Sequence, residues 1–95
     1  MTVEAQWAEF ASAADASQAV NFRAFLSEER KRISDDLARS RARLRECVEG
    51  AHVVGLRGMA RIRSHVRELE ARLREVDRLI AALDQRFAYV WPDDA

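Results

Sequence analysis

From Met59 to Val90 an apolar side chain recurs at steps that alternate between three and four. The members are Met59, Ile62, Val66, Leu69, Leu73, Val76, Ile80, Leu83, Phe87 and Val90. A heptad pattern this regular fits one secondary structure, an α-helix with a continuous apolar stripe, and such a stripe must be buried against other helices. Leu79 adds a third apolar column near the end, and a stripe of that width suits a multi-helix bundle better than a two-stranded coil. Pro92, the only proline, and the DDA that follows stop the pattern, so a helix is expected over 59–91.

The first half reads as helix for a different reason. Residues 1–49 contain neither Gly nor Pro and are rich in Ala, Arg, Glu and Leu. Its stripe is looser: Phe22, Leu26, Ile33, Leu37, Leu44, Val48 and Ala51, with Phe25 alongside and Ser40 and Cys47 in the same column. Upstream, Val3, Trp7, Phe10 or Ala11, and Ala14 are helically spaced and either continue this helix or form a separate one. The DASQ stretch at 15–18 has the form of a capping box and favours a break. The expected organisation is one domain over 1–95: an N-terminal helix or arm at 1–15, a first long helix at 16–51, a turn at 52–58, and a second long helix at 59–91.

Laid antiparallel, the two long helices align their apolar layers in one register. Phe22 with Phe87, Leu26 with Leu83 and Ile33 with Val76 have residue numbers that sum to 109. Leu37 with Leu73, Leu44 with Val66, Val48 with Ile62 and Ala51 with Met59 sum to 110. The turn then centres on Val54 and Gly55, and Gly tolerates the positive φ of a helix C-terminal cap. The expected fold is therefore all-α, an antiparallel αα-hairpin resembling a coiled coil. Two helices side by side each bury only one face, which leaves a lone hairpin marginal. The expectation is a homodimer forming a four-helix bundle, or docking on another protein. The candidate protein interface is Leu37, Leu44, Val66, Leu69, Leu73, Val76, Leu79, Ile80, Leu83 and Phe87. Tyr89 and Trp91, beside Phe87, Phe22 and Trp7, would cap the core at one end.

Charge is balanced overall, sixteen basic against sixteen acidic residues, which argues against a chain that coats nucleic acid everywhere. It is not balanced locally. Residues 39–67 hold eight arginines (39, 41, 43, 45, 57, 61, 63 and 67) against Glu46 and Glu49, a net of +6. Residues 1–38 and 68–95 each carry four bases and seven acids, −3 apiece. A hairpin thus has a basic tip, and its other end is acidic. The register pairs Arg39 with Glu70, Arg41 with Glu68, Arg32 with Asp77 and Asp36 with Arg74. It also sets Arg43 against Arg67. Arg43, Arg45, Arg57, Arg61, Arg63 and Arg67 are the candidate anion- or nucleic-acid-binding residues, and the acidic end of a second copy is another partner for them.

Other constellations are weaker. Glu49 and His52 have the Glu-x-x-His spacing of di-iron bundles, but in a single copy beside Gly50 at a helix end, so no metal is expected. His65 falls on the rim of the seam. Cys47, the only cysteine, excludes an intrachain disulfide and reads as a small core residue. The glycines ahead of the second helix lack the order of a phosphate loop. No nucleophile–base–orienter set or catalytic carboxylate pair is found, so the expectation is a non-enzyme with no catalytic residues and no cofactor. No run is apolar enough to span a membrane and the N-terminus lacks the form of a leader, which points to the cytoplasm and no membrane partner.

In outline the chain resembles the small helical hairpins exported by type VII secretion. VVG at 53–55 stands where those proteins carry Trp-x-Gly, and YVWPD at 89–93 stands where they carry Tyr-x-x-x-Asp/Glu. The turn Trp is absent, and Pro92 interrupts the second motif. That resemblance implies an exported small helical hairpin. The residues by themselves suggest a protein-interaction or regulatory adaptor, with nucleic-acid binding through the arginine tip as the alternative.

Overall fold

A computed structural model describes the backbone at residues 3–50 and 54–87, with side chains from Asp15 onward in those ranges. Among the described residues there are two helices, α1 (Val3–Val48) and α2 (Leu56–Phe87), and they pack against each other as a hairpin. With 46 residues at about 1.5 Å each, α1 spans roughly 69 Å, which accounts for the 71 Å long axis of the molecule.

Two of the three glycines end and restart the helices. Beyond Val48, the Glu49 N–H donates to the Arg45 carbonyl at 2.9 Å and the Gly50 N–H donates to the Cys47 carbonyl at 3.3 Å. Gly50 has φ of +81°. Gly50 therefore sits at the position after the cap, in the left-handed conformation that closes a helix C-terminus. Gly55 opens α2: its carbonyl accepts from the Met59 N–H at 3.0 Å, the first bond of the new helix. Gly58 lies inside α2, where an added Cβ would meet the Val54 Cβ at 3.0 Å.

The expected boundaries shift accordingly. No break occurs at 15–18, and α1 is continuous from Val3. An uninterrupted run of helix formers prevails over the local capping signal, because a break would forfeit backbone bonds with no chain reversal to gain. The first helix stops at Val48 rather than at 51, and α2 starts at Leu56 rather than at 59. Gly50, not the central Gly55, takes the positive φ.

The core is a single strip. Ile33, Leu37, Val66 and Leu69 are its buried centre, with Ile62, Leu73 and Val76 packed on it. Ala19, Leu26, Cys47 and Phe87 are buried further along. The α2 stripe is the expected one: among its described members, Val66, Leu69 and Phe87 are buried and the rest half-buried. On α1 the stripe differs. Phe22 and Val48 remain 45% and 65% exposed, and Ala19 and Cys47 take the buried places. Core positions on α1 recur every seven residues as Ala19, Leu26, Ile33, Ser40 and Cys47, and four residues after the first four of these come Arg23, Arg30, Leu37 and Leu44. Two arginines thus stand where leucines stand nearer the tip, which is why the α1 stripe is loose in sequence.

A candidate binding flank

The two flanks of the helix–helix seam differ. On one, Arg23 reaches across from α1 and grips Asp84 of α2 with both arms, Nε donating to Oδ1 at 2.5 Å and Nη2 to Oδ2 at 3.0 Å. One heptad nearer the tip, Arg30 Nε donates to Asp77 Oδ1 at 2.5 Å. Arg41 then approaches Glu70 at 3.8 Å. Glu70, Asp77 and Asp84 are themselves seven residues apart, each one place after a core residue of α2. A row of ion pairs closes this side. Each is partly exposed and worth about 0–1 kcal/mol, so the row fixes register more than it adds stability.

These partners replace all four of the expected cross-helix acid–base pairs. Asp77 takes Arg30, and Arg32 pairs instead with Glu29 on its own helix at 3.0 Å. Glu70 takes Arg41 while Arg39 pairs with Asp36, again within α1. The bases that cross over are those flanking the core, because only there does the guanidinium span the gap between axes. Arg32, on the outer side of α1, finds an acid one turn away at less cost in side-chain freedom. On the outer face of α2, the hydrogen bond from Arg78 holds the Glu75 carboxyl below the usual carboxylate range and raises the Arg78 guanidinium in turn.

Among the described residues the opposite flank has no such row. It is formed on α1 by Asp15, Phe22, Glu29, Asp36 and Arg43, seven residues apart, and on α2 by Gly58, His65, Arg72, Leu79 and Arg86 at the same interval. Glu29 and Asp36 pair along α1 and leave the groove open. Phe22 and Phe25, 45% and 58% exposed, stack on each other with ring centroids 6.4 Å apart and planes 11° from parallel. Two clefts lie along this flank. One, of about 300 Å³ at the acidic end, is lined by Asp15, Gln18, Ala19, Phe22, Arg86 and Phe87, with the Arg86 guanidinium 5.2 Å from the Phe87 ring centre. The other, of about 360 Å³ near the tip, is lined by Ser40, Arg43, Val54, Gly58, Arg61, Ile62 and His65.

The arginine tip forms as expected from the sequence. Arg43, Arg45, Arg57, Arg61, Arg63 and Arg67 are all exposed, and among the described residues none of them enters an ion pair. No acidic residue stands in the first turn of α2, so its free N–H groups add to the positive field. Exposed Leu56 and Val48 share this end.

Of the ten candidate interface residues, Leu37, Val66, Leu69 and Phe87 are buried in the hairpin itself. Leu44, Leu73, Val76, Leu79, Ile80 and Leu83 are half-buried and keep some surface for a further helix. Phe25, noted only as lying beside the stripe, is among the more exposed large apolar side chains. Its signal in the sequence is an aromatic one step off the heptad. Cys47 is buried and free. Glu49 is exposed, and its candidate partner His52 lies outside the described residues, as do Val53 of the turn motif, Tyr89 and the rest of 89–93, and the side chains of Trp7 and Phe10. Among the described residues no group of three or more His, Cys, Asp or Glu gathers as a metal site, and no helix is long and apolar enough to cross a membrane.

These features define a class by architecture alone, a two-helix antiparallel hairpin with one closed and one open flank. Compared with known proteins, the chain matches no family model, no curated protein and no solved structure.

Proposed function

We propose that the chain is a non-enzymatic protein-interaction module, an adaptor or regulatory scaffold that docks helices on its open flank and so completes a helical bundle. The observation that carries this reading is the asymmetry of the seam. Ion pairs close one side, while the other presents two stacked phenylalanines and half-covered Leu79. Aromatic pairs left in water on a helix face are the usual anchors of protein interfaces. A hairpin that buries one stripe per helix also has stability to gain from a partner.

The test is retention from an extract of its own cells by the immobilised chain and by its Phe22→Ser/Phe25→Ser variant. The variant should keep its helicity and lose the specifically retained proteins, further copies of the chain included. Equal retention by both chains rules the open flank out as a docking surface.

A second reading, nucleic-acid binding, draws on a separate observation: six arginines at the tip enter no ion pair among the described residues, in a stretch, 39–67, that carries a net +6. Guanidinium groups pair well with phosphate. Under this reading, Gln at positions 57, 61, 63 and 67 reduces the log–log slope of affinity against salt by up to about 3–4, at roughly 0.9 for each phosphate no longer neutralised. An unchanged slope rules out the tip as the phosphate-binding surface.

A further inference from the structure

We infer that the occupant of the open flank is a second copy of this chain, packed antiparallel, with the Phe22–Phe25 pair of each copy seated against the partner's tip cleft. This rests on the docking role proposed for that flank and adds the partner and its direction.

The argument for direction is electrostatic. Two identical flanks can meet about a two-fold axis that runs either along the hairpin or across it. An axis along the hairpin lays one basic tip beside the other, +6 against +6, and one acidic end beside the other. Arg43 and Arg61, which line the tip cleft and have no acid of their own among the described residues, would then face their own copies. An axis across the hairpin lays each +6 tip beside the partner's other end, where the described residues 15–38 and 68–87 are net −1 apiece, on both sides at once. One arrangement concentrates like charge and the other separates it, so the field of the molecule selects the antiparallel pair.

Shape and apolar chemistry agree with that choice. The crossing axis passes near the layer of Ile33, midway between Phe22 and Arg43 on α1. It brings the stacked rings of one copy opposite Ser40 and Arg43 of the other, where the cleft of about 360 Å³ also holds Ile62, Arg61 and His65. An aromatic face against a guanidinium is a favourable contact, and a desolvated one more so. Near the axis itself, Glu29, Arg32, Asp36 and Arg39 meet their symmetry mates, acids and bases in equal number, so the centre adds no net repulsion. In the reverse arrangement the phenylalanines would meet only each other, and both tip clefts would be left facing like charge.

The experiment combines molar mass with a distance. The full chain, with Cys47→Ser and one spin label at Val20→Cys or Lys31→Cys, is measured by sedimentation equilibrium and by pulsed dipolar spectroscopy. Both label positions lie away from the open flank. In the antiparallel dimer Val20 lies level with Arg45 of its partner, so the two Val20 labels are offset along the axis by roughly 37 Å, while the Lys31 labels are nearly level. In a parallel dimer both pairs are level. A dimer with the long Val20 separation, and a Phe22→Ser/Phe25→Ser variant whose dimer dissociation constant rises about a hundredfold or more, is the expected result. A dimer with level labels at both sites overturns the direction and leaves the docking flank standing. A monomer at all concentrations overturns the second copy. The docking role itself falls only on the separate retention test, when the double variant retains what the parent chain retains. Arg30→Gln on the closed flank is the control and leaves the dimer intact.

Discussion

Gly50 and Gly55 do opposite jobs within six residues. Gly50 adopts φ of +81°, and a Cβ placed there meets no heavy atom within 4 Å, so the demand is on the backbone alone. Gly50→Ala should therefore cost about 1 kcal/mol in urea denaturation, the strain of a left-handed residue less what Ala saves in the unfolded chain. Gly55 lies at the start of α2 with ordinary φ and offers no side-chain oxygen to the free N–H groups. Gly55→Asp adds a cap and a negative charge at the positive end of the helix, and should stabilise by about 0.5–1 kcal/mol in the same assay. If both substitutions shift the midpoint in one direction, this division of roles is wrong. The Glu75–Arg78 pair also acts at this scale. Its depressed carboxylate contributes stability above the usual glutamate range, and that contribution is lost as pH falls through the lowered value. Solvent screening of this exposed pair keeps it small.

Among the elements, α2 carries a clean apolar stripe and α1 a mixed one. The mixed stripe has a purpose: Arg23 and Arg30 interrupt it on the side where Asp84 and Asp77 wait. Leucines at both places would bury more area, whereas charged pairs at heptad steps penalise any slip that is not a whole heptad. The hairpin's stability is instead concentrated at the Ile33–Leu37–Val66–Leu69 centre. Leu69, 2% exposed, should lose about 2–5 kcal/mol on truncation to Ala, enough to remove most of the folded population of a small domain. Val48, assigned to the seam on sequence spacing and found 65% exposed, should tolerate Ser within about 0.5 kcal/mol. Equal losses at the two sites, read from thermal melts, would restore the seam expected for α1 from spacing.

The whole molecule is a rod. Its radius of gyration is 20.6 Å, against about 12 Å for a globule of this length. Such a shape exposes both flanks along their full length and separates the charge of tip and base far beyond a Debye length of about 8–10 Å. Each end consequently acts as its own electrostatic surface. Small-angle scattering offers a direct check on side-by-side assembly: the forward intensity doubles per molecule while the radius of gyration barely rises. Docking end to end would instead nearly double the radius.

Much of this architecture was legible in the chain. Helix content, two long segments, antiparallel pairing, the turn region and the basic tip all follow from short-range facts: heptad spacing, missing breakers, glycine placement and the order of charges. A helix period fixes which residues share a face, and a chain that reverses once must lay those faces together. The sequence alone also determined the α2 stripe, because its apolar column has no interruptions. What only tertiary structure decided is everything that depends on the second neighbour. Whether Phe22 or Ala19 lies under α2 depends on where the partner axis crosses, and a shift of one helical position is invisible to spacing. Arg30 rather than Arg32 reaches Asp77 because a guanidinium bridges the gap only from beside the core. The difference between a closed and an open flank, on which the proposed docking role depends, arises when two helices are set side by side, since one helix by itself has no flank to close.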